Sequence, residues 1–247
     1  MINSSNTEGR KYNPKLVMKF KDWINYKVNP DELIIAASHV PFVTPTGKIK
    51  ADMLSYLPLG LHWKYYNLSF DEKDFFLNNH EKKKSVWINF NKSTDFQRRS
   101  GHKINRTTIY EMLEKKRKYH FCDFFSKNSK EYYKLIGEYK YVVSPEGNGI
   151  DTHRHYDALY AKSIPIVEDS FEMKIKFQDL PVLWTKDYSE LDKDYLESEY
   201  KKFLEIEYNF NKLFKSYYSH VEQKVMEFNF SYWNWEFTNR HYQEFNK

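Results

Sequence analysis

An α/β protein built on a Rossmann-like parallel sheet is what the sequence predicts, and three observations carry that prediction. From residue 83 onward, short apolar runs alternate with amphipathic stretches of about ten residues, the pattern of right-handed βαβ units in a parallel sheet covered by helices. The chain has 247 residues, 40% hydrophobic and 30% charged, with 7 Gly and 8 Pro, so it can bury a sizeable core and falls outside the disordered, collagen-like and low-complexity classes. Its mean hydropathy is −0.82, and no apolar run approaches the ~20 residues of a membrane-spanning helix. The opening MINSSNTEGRKYNP has no signal-peptide core, so the expectation is a soluble, cytoplasmic protein with no membrane span.

The elements follow in order. Residues 1–13 are polar and basic and read as a loose terminus. Residues 32–37, apolar and bounded by Pro30 and Pro41, suit a buried strand, and loop and helix follow to Pro58. Residues 71–76 and the charged run 80–84 read as a joint, which places a boundary near residue 82. Strands are then predicted over 85–90, 119–125, 139–143, 164–167 and 181–185, with helices over 105–116, 129–137 and 152–162 between them. Leu196, Tyr200, Phe203 and Leu204, then Leu213, Tyr217, Val221 and Val225, keep helical spacing, so 191–228 reads as two amphipathic helices. The aromatic tail, with Trp233, Trp235 and Phe237, is expected to dock back on the rest. The expected organisation is a small N-terminal unit over 1–82, a Rossmann-like unit over 83–228 and a tail over 229–247.

Composition narrows the chemistry. The single cysteine, Cys122, forms no internal disulfide and contributes to no zinc-finger spacing. A net charge of +5 favours anionic partners. The 21 Tyr, 19 Phe and 6 Trp supply flat faces that stack on bases or sugars but more often fill cores.

Ligands of an open parallel sheet bind at the carboxyl ends of its strands, which directs attention to the loops after Phe90 and Val143. The second is the denser signal: YVVSPEGNGIDTHRHYDALYAKSIPIVED, residues 141–169. Pro145 stops the strand, Gly147 and Gly149 allow a tight turn and close backbone approach, and Asp151 or Thr152 can cap the next helix. A helix N-terminus behind such a loop favours phosphate through its free N–H groups and its dipole. Arg154 adds a planar fork suited to phosphate oxygens. Asp157, three residues on, shares that face and can accept hydrogen bonds from ribose hydroxyls. The same strand–glycine–helix turn also serves packing alone, with Arg154 and Asp157 as a surface ion pair.

The string SPEGNGIDTHRHYDALYAKSIPIV resembles the nucleotide-sugar signature of exostosin-like glycosyltransferases, with a Gly-Asn-Gly-Ile-Asp-Thr-His-Arg loop and a closing Ile-Pro-Ile-Val. The resemblance extends more weakly to WINFNKST at 87–94, LPLGL at 57–61 and LPVL at 180–183. It implies a GT-B architecture of two Rossmann-like lobes with the N-terminal one reduced, and transfer of a sugar from a nucleoside diphosphate sugar, UDP favoured over GDP, to a hydroxyl of a glycan or glycoprotein acceptor. It implies a reaction without metal or other cofactor, with inversion as the favoured outcome and retention left open. Carried over, Arg154 holds the diphosphate, Asp157 the ribose, Glu146 with Gly147, Asn148 and Gly149 the phosphate or donor sugar, Asn91, Thr94 and Arg106 line the facing loop, and Thr152 is counted with the donor-binding residues. The family position of Asp157 is more often Glu, and the basic insert FQRRSGHKIN at 96–105 offers Arg98 or Arg99 in place of Arg106. The inverting reaction needs a general base from the N-terminal unit, for which His39, Asp52 and His62 are candidates and Asp52 or His39 is preferred.

Other signals are read as structural. Asp192 and Asp194 have metal-binding Asp-x-Asp spacing but sit where a helix dipole favours acids. His153 and His155, two apart on a helix, point to different faces and are poorly placed to share a metal. The rival reading is a noncatalytic nucleic-acid-binding protein using basic and aromatic surface, against which the basic residues are spread along the chain among matching acids.

Overall fold

The computed structural model describes residues 9–35, 57–78, 81–124 and 129–231, with the backbone alone at 129 and 130. The strands are β1 (Val17–Lys19), β2 (Lys84–Ile88), β3 (Cys122–Phe124), β4 (Tyr139–Val143), β5 (Ile164–Glu168), β6 (Leu183–Thr185) and β7 (Glu207–Asn209). The helices are α1 (Phe20–Asn25), α2 (Phe70–Asn78), α3 (Phe96–Arg99), α4 (Arg106–Lys115), α5 (Ser129–Leu135), α6 (His153–Tyr160), α7 (Phe171–Lys176) and α8 (Lys193–Glu205), followed by a helical stretch over 220–231.

Five strands form a parallel sheet in the order β3-β2-β4-β5-β6, aligning Val86 with Cys122 and Tyr141, Tyr141 with Ile164, and Ile166 with Leu183. Counted along the chain this is 2-1-3-4-5, one of the common doubly wound orders, with its switch point between β2 and β4. A strand covered on both faces must be apolar throughout rather than alternating. Accordingly all five residues of β5 and all of β4 except Lys140 are buried. The strand–helix alternation expected from residue 83 is therefore present, with helix α4 starting at an Asn105–Thr108 capping box.

The N-terminal residues differ from expectation. In the described part of the strand expected over 32–37, Pro30–Glu32 form a 3₁₀ turn and Leu33 and Ile35 each make one isolated bridge, to Phe214 and Leu61, while 36 and 37 lie outside the described residues. Pro30 and the acidic pair after it start a turn, and among the described residues 33–35 make isolated bridges rather than a ladder. Of the charged stretches expected as a joint, 71–76 lies in helix α2, because Phe76 and Leu77 give it a buried face, whereas 81–83 is a connection into β2. Described residues on both sides of position 82 pack into one apolar cluster, with Phe20, Trp23, Leu61 and Phe76 alongside Trp87, Tyr141 and Ile166.

The C-terminal expectation of two helices over 191–228 is half met. Helix α8 forms, but the chain then returns as β7, antiparallel to β1, before 3₁₀ turns and the stretch over 220–231. Arg10 fixes this stretch to the N-terminal segment through Glu222 at 2.6 Å. Of the tail, Phe230 lies with its ring centroid 5.6 Å from that of Tyr66, and residues from 232 onward are outside the described residues. Among the described residues no helix is long and apolar enough to cross a membrane.

Candidate functional site

The loops after β2 and β4 meet at the switch point, and three arginines of the 96–106 segment hold them. Arg106 is buried and donates from Nε to the Glu146 carbonyl (2.7 Å), from Nη2 to the Pro145 carbonyl (3.0 Å) and from Nη1 to the Asn91 carbonyl (3.2 Å). Burial, with Arg154 nearby, lowers its pKa to about 10. Arg99 pairs with Asp95 at 2.9 Å and Glu168 at 3.2 Å, and Arg98 pairs with the Glu146 carboxylate at 2.5 Å. Glu168 closes β5 and also accepts the Glu146 N–H at 3.1 Å. These guanidinium groups act as struts for the glycine loop, so of the basic residues singled out here Arg106, Arg98 and Arg99 are committed to protein partners.

The two glycines differ. The Gly147 N–H donates to the Gly149 carbonyl at 2.9 Å, and a Cβ on Gly147 would lie 3.0 Å from Arg106 Nη2 and 3.5 Å from the Thr94 methyl. A side chain at Gly147 would therefore press on the strut, although the backbone there has no positive φ that would itself demand glycine. A Cβ on Gly149 would meet only the Asp151 carbonyl at 3.6 Å, an ordinary contact. Asn148 is exposed at the tip, and Asn91 turns its Oδ1 onto the Ser93 N–H (2.9 Å) and hydroxyl (2.8 Å).

Beyond the loop, Thr152 occupies the N-cap position of α6 without making a capping bond, and its Oγ1 is buried with no hydrogen-bond partner. Asp151 takes a different role from capping. Its Oδ2 receives Lys176 (2.5 Å), the Tyr156 hydroxyl (2.9 Å) and the Leu59 N–H (3.3 Å), which ties the 57–62 segment to the head of α6. Burial works against its charge, but Lys176 and His155 outweigh burial and hold its pKa below the usual value.

Arg154 lies over the Tyr132 ring with its guanidinium carbon 5.4 Å from the centroid, and its Nη1 is buried without a partner. Tyr132 in turn stacks on Trp87 of β2 at 5.3 Å and donates its hydroxyl to Asp157 Oδ2 at 3.0 Å. Asp157 is only 5% exposed and its Oδ1 has no partner. Burial raises its pKa to about 7 against the opposing pull of Arg154 and the Tyr132 hydroxyl. Arg154 and Asp157 thus make no direct ion pair, contrary to the surface-pair alternative. They leave a buried donor and a buried acceptor unfilled on one helix face, and such groups cost stability unless something pairs with them.

The N-terminal segment closes the other side. Gly60 has φ +72°, and a Cβ there would lie 2.3 Å from the Ile34 carbonyl, so only glycine fits. Its carbonyl accepts from His153 Nδ1 at 2.8 Å. His62 stands edge to face with His153, ring centroids 4.9 Å apart, and its Nδ1 accepts the Lys64 N–H at 3.1 Å. That bond leaves the proton of neutral His62 on Nε2, which removes its capacity to act as a base. His155 points elsewhere, into the core against Ser144 (2.7 Å), as its spacing from His153 predicts. Asp52 and His39 lie outside the described residues.

Sequence reasoning missed Asp95, Glu168 and Tyr132, and gave Asp151 only a capping role. A charged residue closing the apolar run IPIV was a legible signal for Glu168, whereas the link from Tyr132 to Asp157 joins separate elements. Asp192 caps α8 by accepting the Tyr195 N–H at 2.8 Å. Among the described residues, no three His, Cys, Asp or Glu side chains gather as a metal site. Two surface depressions lie elsewhere, one lined by Val28, Pro30, Phe70 and Lys73, the other by Leu16, Tyr26 and Phe214. Neither contains the unfilled polar atoms found at the head of α6.

Fold and site together define an α/β protein with an open parallel sheet and a polar site at the switch point. No protein-family model matches the chain, and no curated protein matches it significantly.

Proposed function

We propose that the chain is a nucleotide-sugar-dependent glycosyltransferase of the exostosin-like type, moving a sugar from a nucleoside diphosphate donor, UDP favoured, to a glycan hydroxyl. The observation that carries this reading is the buried, unfilled pair of Arg154 Nη1 and Asp157 Oδ1 at the head of α6. A nucleoside diphosphate offers what each lacks: phosphate oxygens for the guanidinium and ribose hydroxyls for the carboxylate. The uncapped helix head and the Thr152 hydroxyl would add donors to the diphosphate.

In this reading the sheet forms the donor side and the N-terminal segment the acceptor side of a reduced GT-B arrangement. The leaving diphosphate gains charge as the glycosidic bond breaks, and Arg154 with the helix-end amides is placed to stabilise it. Arg106, Arg98 and Arg99 contribute by holding the 144–149 backbone against the site rather than by touching the ligand. The resemblance implies that the reaction needs no metal.

Incubation with UDP- and GDP-sugars in EDTA, with mass-spectrometric detection of released nucleotide and of sugar added to a glycan panel, tests the activity. Release of one nucleotide by the wild type and its loss by at least about 100-fold in Arg154→Ala is expected. No release from any donor, with salt-sensitive oligonucleotide binding instead, would favour the noncatalytic nucleic-acid reading.

A further inference from the structure

His62 is absorbed by neither the donor site nor a base role, and its surroundings define what it can do. Its Nδ1 accepts the Lys64 N–H at 3.1 Å, so the ring carries its proton on Nε2. It is half-buried between the ring of His153 at 4.9 Å and that of Trp63 at 5.4 Å, and Nε2 has no hydrogen-bond partner among the described residues. Burial, with His153 and Lys64 adding repulsion, lowers its pKa to about 3, which keeps the ring neutral across the physiological range. The segment that carries it cannot swing freely, because Gly60 fits against Ile34 and Leu59 is tied to Asp151.

A fixed, neutral N–H donor among aromatic rings suits a sugar better than a phosphate. It adds no charge for an anion to seek, it points a single donor at an oxygen lone pair, and flat rings beside it can cover the C–H face of a pyranose. His62 also packs against His153 in the first turn of α6, the helix that carries Arg154, so the two side chains flank the same helix head. We propose that His62 binds a sugar hydroxyl through Nε2–H, in the donor sugar or in the accepting one. The inference rests on the donor-site reading given above.

His62→Asn keeps an oxygen at the Nδ1 position to accept the Lys64 N–H but has nothing at Nε2, whereas His62→Gln returns an N–H donor to the Nε2 position. Nitrogen NMR of the histidine side chains comes first, and expects Nδ1 unprotonated and Nε2 protonated between pH 6 and 8; the opposite tautomer overturns the proposal. Calorimetry with UDP, UDP-glucose, UDP-galactose and UDP-N-acetylglucosamine, and GDP with GDP-mannose and GDP-fucose, then separates the sources. Free nucleotide should bind wild type and both variants within about twofold. About tenfold weaker binding of a sugar nucleotide to His62→Asn, recovered in His62→Gln, places the donor sugar at His62. A tenfold rise in acceptor KM alone, again recovered, places the accepting sugar there. Nucleotide binding with no sugar-dependent change in His62→Asn overturns the proposal while leaving the donor site in place. Failure of every nucleotide to bind the wild type removes the donor site and this inference with it.

Discussion

Arg154 and Arg106 carry the same side chain to opposite ends. Arg106 gives its fork to three backbone carbonyls and becomes part of the loop's framework, whereas Arg154 rests on Tyr132 and keeps a buried N–H unfilled. Asp157 is its chemical complement. Its carboxyl titrates near pH 7 when folded and near 3.8 when unfolded, so the folded state binds the extra proton between those values and stability falls as pH rises through them. Asp157→Asn should remove that slope and stabilise the ligand-free protein at pH 8 by on the order of 1–3 kcal/mol, read as the pH dependence of urea midpoints. An unchanged slope would show that another group carries it. Lys162 has the reverse sign. It is fully buried with Nζ 3.5 Å from the Trp23 ring centroid and no hydrogen-bond partner, and burial depresses its pKa well below the ordinary lysine value. The unfolded state therefore binds the proton more readily, and stability rises with pH toward 10.5. The indole face offsets part of the cost of a buried ammonium. Lys162→Met keeps the stem and removes the amine, and should stabilise at pH 7 by about 1–3 kcal/mol in the same titrations.

At the scale of elements, loops rather than helices decide where the site lies. Gly60 and Gly149 make the contrast testable: Gly60→Ala forces a Cβ against the Ile34 carbonyl at positive φ and should cost more than about 2 kcal/mol, whereas Gly149→Ala should stay within about 0.5 kcal/mol. Thermal midpoints of the two variants check this directly. The strands of the sheet were legible because buried parallel strands are continuous apolar runs, as in YVV at 141–143 and IPIV at 164–167. The loop after β4 was legible too, because its prolines, glycines and capping residues act locally. What escaped was set by partners distant in sequence. Residues 32–37 look like a strand by composition, but their described part, to 35, makes only isolated bridges, and helix α2 looked like part of a charged joint until Phe76 and Leu77 found a core. The committed roles of Arg99 and Arg106 depend on Glu168 and on carbonyls some forty residues away, which no local pattern reveals.

Across the whole molecule, the N-terminal segment, the sheet and the 220–231 stretch are joined by buried polar links. Arg10 holds Glu222, Asp151 holds Leu59 and Lys176, and the Trp23 indole donates to the Leu159 carbonyl at 3.3 Å. With a shared apolar cluster on both sides of position 82, unfolding should be one cooperative transition with coincident fluorescence and circular-dichroism curves. Two separated transitions would instead show that residues before 82 form an independent unit. The site sits where these parts meet, so a ligand that fills it should stabilise all of them together. Calorimetric titration of wild type and Arg154→Ala with UDP and GDP in EDTA reads whether the unfilled groups at the head of α6 take a nucleoside diphosphate. Micromolar binding of one nucleotide by the wild type is expected, unaffected by chelation and at least about 100-fold weaker in the variant. Equal binding by both proteins, or none by either, would contradict the nucleotide-binding reading.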